Sequence, residues 1–297
     1  MELKTYIKER RELVDRWLVN AMPNENELPV SLYSAMRYSL FAGGKRIRPI
    51  LMFAACEAVG GDIINAQPAA CAMEMIHTYS LIHDDLPAMD NDDFRRGKPT
   101  NHKVYGEAIA ILAGDALLTQ AFILLSSPFL ALNIPHDRIL AIINEIASCS
   151  GARGMVGGQA VDIESEGKSD LDLPTVQYIH IHKTGALIKA SVKCGAILGG
   201  ANERELASLV RYGEAVGLAF QIVDDILDIE GNSAELGKDI DSDRSRGKAT
   251  YPAVIGIAES RQRAAELLEI ALDAIASFDE SAEPLREIAR YVIERSS

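Results

Sequence analysis

Apolar residues recur at helical spacing along almost the whole of this chain, and this periodicity limits the fold more than any other feature. They fall at i, i+3, i+4 and i+7 in nearly every long segment, whereas alternating runs bounded by turn residues are scarce. The pattern predicts an all-α protein, with helices at 3–20, 30–41, 47–59, 66–85, 107–125, 137–150, 174–198, 203–229, 251–277 and 281–294. Several are apolar nearly all round, which is typical of helices inside a bundle.

The breaks between these helices are short. Glycine and proline pairs mark them, and no stretch is long enough or low enough in complexity to link independent domains. The 297 residues are about twice the usual domain length of roughly 150, and no repeat of fixed period is present. We therefore expect one large helical domain that covers residues 1–297.

The residue composition and the net charge limit which kinds of molecule this protein could bind. Apolar residues make up 48% and charged residues 25% of the chain, which is the mixture of an ordinary globular protein. The formal net charge of −13 would repel nucleic-acid phosphates, so we expect no nucleic-acid partner.

The cysteines and the apolar runs bear on location. Cys56, Cys71, Cys149 and Cys194 stand singly without CxxC spacing, which favours neither a zinc site nor a disulfide framework. The N-terminal segment lacks the apolar stretch of a secretory signal, and no uninterrupted run of 18 apolar residues occurs. We expect a cytoplasmic protein without a membrane span.

Three carboxylates, Asp224, Asp225 and Asp228, follow the apolar run AVGLAFQIV. On a helix, positions 224 and 228 lie one turn apart on one face, and position 225 lies about 100° round from 224. Like charges so placed repel each other unless a cation lies between them. This cluster therefore predicts a bound cation.

A similar cluster, Asp84, Asp85 and Asp90, follows MEMIHTYSLIH. An ideal helix would point Asp84 and Asp90 about 120° apart, but Pro87 disfavours a regular helix there, so a turn can bring Asp90 back. Carboxylates without His or Cys suit Mg²⁺. One such cluster alone is also typical of a solvated helix end, whereas two together indicate an apolar cavity with metal ions at its mouth.

Short polar segments beside these acids carry cations. They are Gly44-Lys45-Arg46-Ile47-Arg48, Arg95-Arg96-Gly97-Lys98, His182-Lys183-Thr184, Gly237-Lys238 and Gly247-Lys248. Arginine offers a planar fork and lysine a point charge, and both bind phosphate groups. No segment fits GxxxxGK[ST], so the pattern favours a phosphorylated substrate without indicating an NTPase.

Taken together, these motifs resemble the bacterial trans-prenyl diphosphate synthases, and among them the farnesyl diphosphate synthases. The resemblance rests on GGKRIRP at 43–49, HTYSLIHDDLPAMDNDDFRRGKPTNH at 77–102, GGQAVD at 157–162, HKTGAL at 182–187 and FQIVDDILD at 220–228, followed by LGKD and GKATYP. It runs in order from about residue 30 to the end. Asn91 stands where many relatives have Asp, outside the DDxxxxD set.

The resemblance implies a helical bundle of the isoprenoid synthase type around a central apolar cavity, with a Mg²⁺-dependent ionisation site. Asp84, Asp90 and Asp224 would coordinate about three Mg²⁺ ions, with Asp85 and Asp228 close by as ligands or water contacts. The remaining residues of the implied catalytic set, which complete the charge clamp or face the carbon centre, are Arg95, Lys183, Thr184, Gln221, Asp225, Lys238 and Lys248.

The resemblance also implies a second, metal-free site for the diphosphate of isopentenyl diphosphate. Its residues would be Gly44, Lys45, Arg48, His77 and Arg96. Tyr79, with the small Ser80 beside it, would limit the product length, because position 79 lies about 7.5 Å deeper along the helix than Asp84.

The implied activity is the head-to-tail condensation of isopentenyl diphosphate with dimethylallyl and geranyl diphosphate to give farnesyl diphosphate, by a homodimer. A geranylgeranyl diphosphate synthase is the open alternative, because it would use the same ionisation site with a deeper pocket. A terpene cyclase would carry a different second metal motif, and a non-catalytic partner subunit would have damaged acidic motifs. Both acidic motifs here are intact.

Overall fold

The computed structural model describes residues 2–128, 130, 134–168, 171–230 and 250–294. Most of this part of the chain is helical, which confirms the all-α prediction. The α-helices are α1 (Leu3–Ala21), α2 (Val30–Leu40), α3 (Ile47–Ala58), α4 (Ile63–Asp84), α5 (Asn101–Tyr105), α6 (Glu107–Leu125), α7 (His136–Ser150), α8 (Met155–Ser165), α9 (Leu173–Ile179), α10 (Ala186–Gly199), α11 (Glu203–Glu230), α12 (Tyr251–Ile255), α13 (Ile257–Ala274) and α14 (Glu283–Glu294). A π-helix covers His180–Gly185, a 3₁₀-helix covers Glu280–Ala282, and two short strands are β1 (Phe94–Arg95) and β2 (Lys98–Pro99).

The chain forms two compact units. The first comprises Met1–Ile50 and Ile64–Ile143, and the second comprises Leu51–Ile63 and Asn144–Ser297. The first acidic cluster and the GGKRIRP segment belong to the first unit, whereas the second acidic cluster and the HKTGAL segment belong to the second. A single domain over residues 1–297 stays a prediction.

Helix α4 carries the first acidic cluster at its end and is buried on nearly all sides. Its buried side chains include the run from Pro68 to Ile76, in which alanine, cysteine and methionine predominate. Small and flexible apolar side chains let neighbouring elements approach closely. The helix begins at Ile63, three residues before the predicted start, and Pro68 in its second turn does not interrupt it.

A β-hairpin follows the first acidic cluster. Strands β1 and β2 pair antiparallel, with Phe94 opposite Pro99 and Arg95 opposite Lys98. Arg96 and Gly97 form the two-residue turn with φ angles of 53° and 73°. Positive φ at both central residues matches the twist of a tight hairpin. The all-α prediction missed this hairpin because its strands are only two residues long.

Helix α11 is the longest helix of the second unit and carries the second acidic cluster near its end. It packs against α10, α13, α14 and the π-helix. Where it meets the π-helix, a Cβ added to Gly217 would lie 3.0 Å from the Cα of Gly185. The two glycines therefore let the backbones approach directly, which fixes the π-helix against α11.

Several other elements differ from the sequence predictions. The predicted helix 174–198 is divided by the π-helix, and the predicted helix 251–277 is interrupted at Gly256, where φ is 84°. Helix α8 was not predicted, because Gly157 and Gly158 indicated a break. Gly158 lies inside α8 instead, where a Cβ would come 2.2 Å from the backbone nitrogen of Lys183. Close packing explains this glycine better than a turn does.

Three helical segments are long and apolar enough to cross a membrane by length and composition alone. They are Glu107–Leu125, His136–Ser165 and Glu203–Glu230, with 33%, 39% and 56% of their most apolar windows buried inside the protein. Charged or polar residues interrupt each segment, so these segments were not predicted from uninterrupted apolar runs. The absence of a membrane span stays a prediction.

Candidate functional site

The first acidic cluster is formed where α4 ends. The amide N–H of Asp90 donates to the carbonyl of Asp84 at 2.8 Å, and the amide N–H of Asn91 donates to the carbonyl of Leu86 at 3.1 Å. Asn91 has a φ of 52°, a conformation that asparagine adopts more readily than most residues. The predicted turn at Pro87 is therefore present, and it brings the backbones of Asp84 and Asp90 together.

Asp85 lies next to Asp84 but is buried and held by Arg95. The Nε of Arg95 lies 2.8 Å from Oδ1 and 2.9 Å from Oδ2 of Asp85, and Nη2 lies 2.6 Å from Oδ1. Burial raises the pKa of Asp85, and the Arg95 guanidinium partly offsets that effect. Asp85, which was predicted as a metal ligand or water contact, thus forms an ion pair with Arg95, which was predicted to complete the charge clamp.

The glycines of GGKRIRP form a bend that Arg96 holds from outside. Gly43 and Gly44 have φ angles of 102° and 131°, which side chains larger than glycine rarely adopt. Arg96 donates from Nη1 to the carbonyl of Gly43. A Cβ added to Gly44 would lie 2.8 Å from the Arg96 guanidinium, so a larger residue would also have to displace this guanidinium.

His77 lies on α4 in the electrostatic field of several arginines. Burial first, and then the positive charges of Arg48 and Arg96, keep its pKa well below the usual value. The ring is therefore neutral at physiological pH. The first unit brings His77, Arg48 and Arg96 together, as predicted for a site that receives a diphosphate, while the role of the site stays a prediction.

The predicted chain-length residues are neighbours on α4, and their side chains point about 100° apart around the helix. Tyr79 is buried, and its ring packs edge-on against His83 with the centroids 5.6 Å apart. The Nε2 of His83 lies 3.0 Å from the carbonyl oxygen of Ile111 on α6. Ser80 donates its hydroxyl to the carbonyl of His77 at 2.8 Å. Tyr79 is thus backed by a ring that is itself held against α6.

In the second unit, Asp225 is the centre of a hydrogen-bonded network. Its carboxylate accepts from the amide N–H of Tyr251 at 2.8 Å and from Nε2 of Gln221 at 3.3 Å. The amide oxygen of Gln221 accepts from the hydroxyl of Thr184 at 2.8 Å. The structure therefore brings together Thr184, Gln221 and Asp225, as the resemblance implied for Thr184 and Gln221.

His180 also belongs to this network, although it was not predicted from the sequence. It is buried in the π-helix, with Nε2 3.3 Å from Oδ2 of Asp225 and its ring stacked on Tyr251 at 5.2 Å. Burial lowers the pKa of His180 to about 3, against the opposing charge of Asp162 and with a contribution from Lys183. The only sequence signal was its place two residues before HKTGAL, and many core histidines have similar surroundings.

Asp162 was also missed. It ends the GGQAVD motif, and its Oδ2 accepts from Nζ of Lys183 at 2.6 Å. The motif was recognised as part of the resemblance, but its acid was given no role because its partner lies 21 positions away. Lys183 is therefore directed by an acid from α8, at the point where Gly158 lets α8 approach the π-helix.

The donor chemistry fits Mg²⁺. No cage of three or more His, Cys, Asp or Glu side chains occurs within the described ranges. Mg²⁺ usually takes one or two carboxylates and fills its other positions with water and substrate phosphates, so a complete protein cage is not needed. Asp84 with Asp90, and Asp224 with Asp228, supply such oxygens. Lys238 and Lys248 lie outside the described residues.

Comparisons with known proteins identify the family of this chain. The profile of the Polyprenyl synthetase family matches residues 29–288. The chain is 52% identical to a geranylgeranyl diphosphate synthase of Cyanophora paradoxa, covering 99% of this chain and 97% of that protein. It is 48% identical to a farnesyl diphosphate synthase of Geobacillus stearothermophilus, covering 99% and 98%. A crystal structure of an FPP/GFPP synthase from Zymomonas mobilis superposes with a TM-score of 0.87 at 40% identity, covering 98% of each chain.

Proposed function

The chain belongs to the polyprenyl synthetase family and is a trans-prenyl diphosphate synthase, and from that premise we propose that its final product is farnesyl diphosphate. It would join isopentenyl diphosphate first to dimethylallyl diphosphate and then to geranyl diphosphate. The observation that supports this length is Tyr79, a buried aromatic residue five positions before Asp84. A chain anchored by its diphosphate at Asp84 and growing along α4 would meet this ring.

The reaction breaks the allylic C–O bond, so a carbocation and a diphosphate anion form together. The double bond of isopentenyl diphosphate then attacks the cation, a new C–C bond forms, and the departing diphosphate takes the proton that is lost. Stabilising the developing negative charge lowers the barrier most, and fixed cations do this without reorganising. We assign this task to Arg95, which Asp85 orients, and to Lys183, which Asp162 orients.

The carbocation requires oriented oxygen dipoles and no water. We assign the dipoles to Thr184 and Gln221, whose side chains hold each other through a 2.8 Å hydrogen bond. A pre-oriented pair of this kind costs little reorganisation as the positive charge develops. Asp225 holds the other end of the Gln221 amide, which fixes the direction of its oxygen.

Mg²⁺ is the proposed cofactor. When bound, it would neutralise the diphosphate and so weaken the C–O bond. Asp84, Asp90, Asp224 and Asp228 are the residues that would hold it, whereas Asp85, a predicted ligand or water contact, is bound by Arg95. Lys45, Arg48, His77 and Arg96, with Gly44, are the proposed site for isopentenyl diphosphate.

A C20 product is the second candidate. It is favoured by the Cyanophora paradoxa relative at 52% identity and by several plant relatives at 45 to 48% identity, which are named as geranylgeranyl diphosphate synthases. Such an enzyme would accept farnesyl diphosphate as a substrate, whereas a farnesyl diphosphate synthase would not.

One experiment separates these products. The purified protein is incubated with Mg²⁺, isopentenyl diphosphate and either dimethylallyl, geranyl or farnesyl diphosphate, and the dephosphorylated products are sized by chromatography. We expect C15 from the first two substrates and no elongation of the third. A main product of C20 from any of them would replace the farnesyl proposal, and a sample with EDTA controls for metal-independent breakdown.

We also propose that the protein works as a cytoplasmic homodimer. Helix α6 is apolar nearly all round, yet Ile111, Leu112 and Ile123 are exposed on it. A large apolar face of this kind is typical of an interface, and a second copy would cover it. The four cysteines are buried and unpaired, which suits a reducing compartment. Light scattering after size-exclusion chromatography would test the dimer, and Ile111→Glu should dissociate it.

A further inference from the structure

Arg46 lies between two residues of the proposed isopentenyl diphosphate site, but its side chain points inward. Lys45 is exposed and Arg48 partly exposed, whereas Arg46 is only 3% exposed. All three were predicted from the sequence as candidate phosphate ligands. Because it is buried, Arg46 is not placed to bind phosphate as Lys45 and Arg48 are.

Each nitrogen group of the Arg46 guanidinium has an acceptor within the first unit. Nε lies 2.9 Å from Oδ1 of Asp15, Nη1 lies 2.6 Å from Oε1 of Glu74, and Nη2 lies 2.7 Å from the carbonyl oxygen of Leu40. The Glu74 side chain is as buried as that of Arg46, at 2% exposure, while Asp15 is 44% exposed. A buried charge held at three points keeps its side chain in one position.

The backbone of Arg46 is equally constrained. Its φ of 54° is in the left-handed region, and its carbonyl accepts the amide N–H of Ile50 at 3.0 Å. Arg46 is thus the residue from which α3 starts, and Arg48 is in the first turn. The backbone conformation of Arg46 therefore sets the position of Lys45 before it and of Arg48 after it.

Glu74 connects this anchor to α4. It lies three positions before His77, so the two side chains are on adjacent turns of one face. The pKa of His77 is lowered by burial and by the charges of Arg48, Arg96, Arg95 and Arg46, which places these arginines near the imidazole. The Arg46–Glu74 pair therefore joins the two elements that carry the proposed ligands.

We infer that Arg46 and Glu74 are positioning residues for the isopentenyl diphosphate site, holding the bend with Lys45 and Arg48 at a fixed distance from His77 without contacting substrate. This inference rests on the proposed function. It explains why a charged residue is buried in GGKRIRP, where an apolar residue would fill the space without needing an acid from α4.

The test is kinetic and uses single and double variants. Glu74→Gln should raise KM for isopentenyl diphosphate about tenfold or more, with KM for geranyl diphosphate and kcat changed less than about threefold. Arg46→Met with Glu74→Leu removes both charges, so the unfolding temperature should recover while KM for isopentenyl diphosphate stays high, because two apolar partners no longer fix the bend. Lys45→Ala gives the benchmark for direct loss of a phosphate cation.

Two further variants keep the test decisive. Glu145→Gln removes the 2.6 Å ion pair with Lys193 in the second unit, and it should lower stability without a selective change in either KM. If Glu74→Gln does not fold, Asp15→Asn, at the exposed end of the same network, should raise KM for isopentenyl diphosphate about two- to threefold. Equal changes in both KM values, or a double variant that regains both stability and affinity, would overturn the inference. An unmodified protein that does not consume isopentenyl diphosphate would instead overturn the proposed function.

Discussion

Arg95 binds both carboxylate oxygens of Asp85, with Nε 2.8 Å from Oδ1 and 2.9 Å from Oδ2. Asp85 is buried, and its neighbour Asp84 is not, although both belong to one DD pair. The two acids therefore have different surroundings. Asp85 is placed to orient the Arg95 guanidinium, whereas Asp84 lies at the end of α4 beside the turn to Asp90.

This difference predicts that Asp85→Asn will act through Arg95 and not through the metal. An amide presents one donor and one acceptor to the guanidinium, so the fork is lost and Arg95 is less well oriented. We expect kcat/KM for the allylic substrate to fall about 10- to 100-fold, with the Mg²⁺ concentration for half-maximal rate within about twofold of normal.

Asp92→Asn is the matched control for this prediction. Asp92 lies 3.7 Å from Nη2 of Arg95 and is more exposed, so its replacement should cost much less. A large rise in the Mg²⁺ requirement of Asp85→Asn would identify Asp85 as a metal ligand, as the family resemblance suggested.

Asp84→Ala and Asp224→Ala should lower kcat by about a thousandfold or more while the protein remains folded, because each removes an oxygen that we assign to Mg²⁺ in the transition state. Turnover is measured at saturating Mg²⁺, and circular dichroism checks the helix content. Asp137→Ala, which removes an exposed acid on α7, should leave the rate unchanged. Near-normal turnover in either active-site variant would rule out the metal assignment.

The buried imidazole of His180 makes the protein less stable in acid. Its folded pKa is lowered to about 3, while an unfolded histidine titrates near its usual value of about 6.5. Between these values the unfolded chain binds a proton that the folded protein does not. The contribution of the neutral His180 to the free energy of unfolding is therefore complete above about pH 6.5. It is lost, by about 1.4 kcal/mol per pH unit, as the pH falls toward 3.

We expect this contribution to disappear in His180→Gln, whose amide can still donate to Asp225. Between pH 7 and pH 5, the free energy of unfolding of the unmodified protein should fall by about 2 kcal/mol more than that of the variant. Urea unfolding at the two pH values measures this difference. His77 is present in both proteins, so its own titration cancels. Identical slopes would show that His180 binds its proton in the folded state.

The sequence predicted those features that depend on neighbouring residues. Helices 3–20 and 203–229 were correct to within one residue at each end, and the turn at Pro87 follows from the missing amide of proline. The feature that local pattern could not supply is the pairing of distant residues. The π-helix packs against α8 and α11 through glycines that allow close approach, and Lys183 finds its partner 21 positions away in Asp162.

Arg46 shows the same limit within one motif. By sequence it is one of three cations in GGKRIRP, and nothing in the local pattern separates it from Lys45 or Arg48. Arg46 differs from these two because it pairs with Glu74, 28 positions along the chain, and because its own backbone is left-handed. Charge alone predicted a phosphate site. Burial distinguishes Lys45 and Arg48, which could bind phosphate, from Arg46, which holds the backbone that carries them.

Tyr79→Ala should change the main product from C15 to C20 or longer, with little change in the rate of ionisation. The Tyr79 ring packs on His83, and His83 has no room to retreat, because a Cβ at Gly114 on α6 would already lie 2.2 Å from its Nε2. The ring is therefore a firm stop about 7.5 Å along α4 from Asp84, and removing it extends the space for the growing chain.

Tyr79→Phe keeps the ring and should still give C15, which separates the bulk of the side chain from its hydroxyl. Products are sized by chromatography after incubation with geranyl diphosphate. A Tyr79→Ala enzyme that still stops at C15 would show that another residue sets the length, and an unmodified enzyme that makes C20 would show that Tyr79 does not stop the chain.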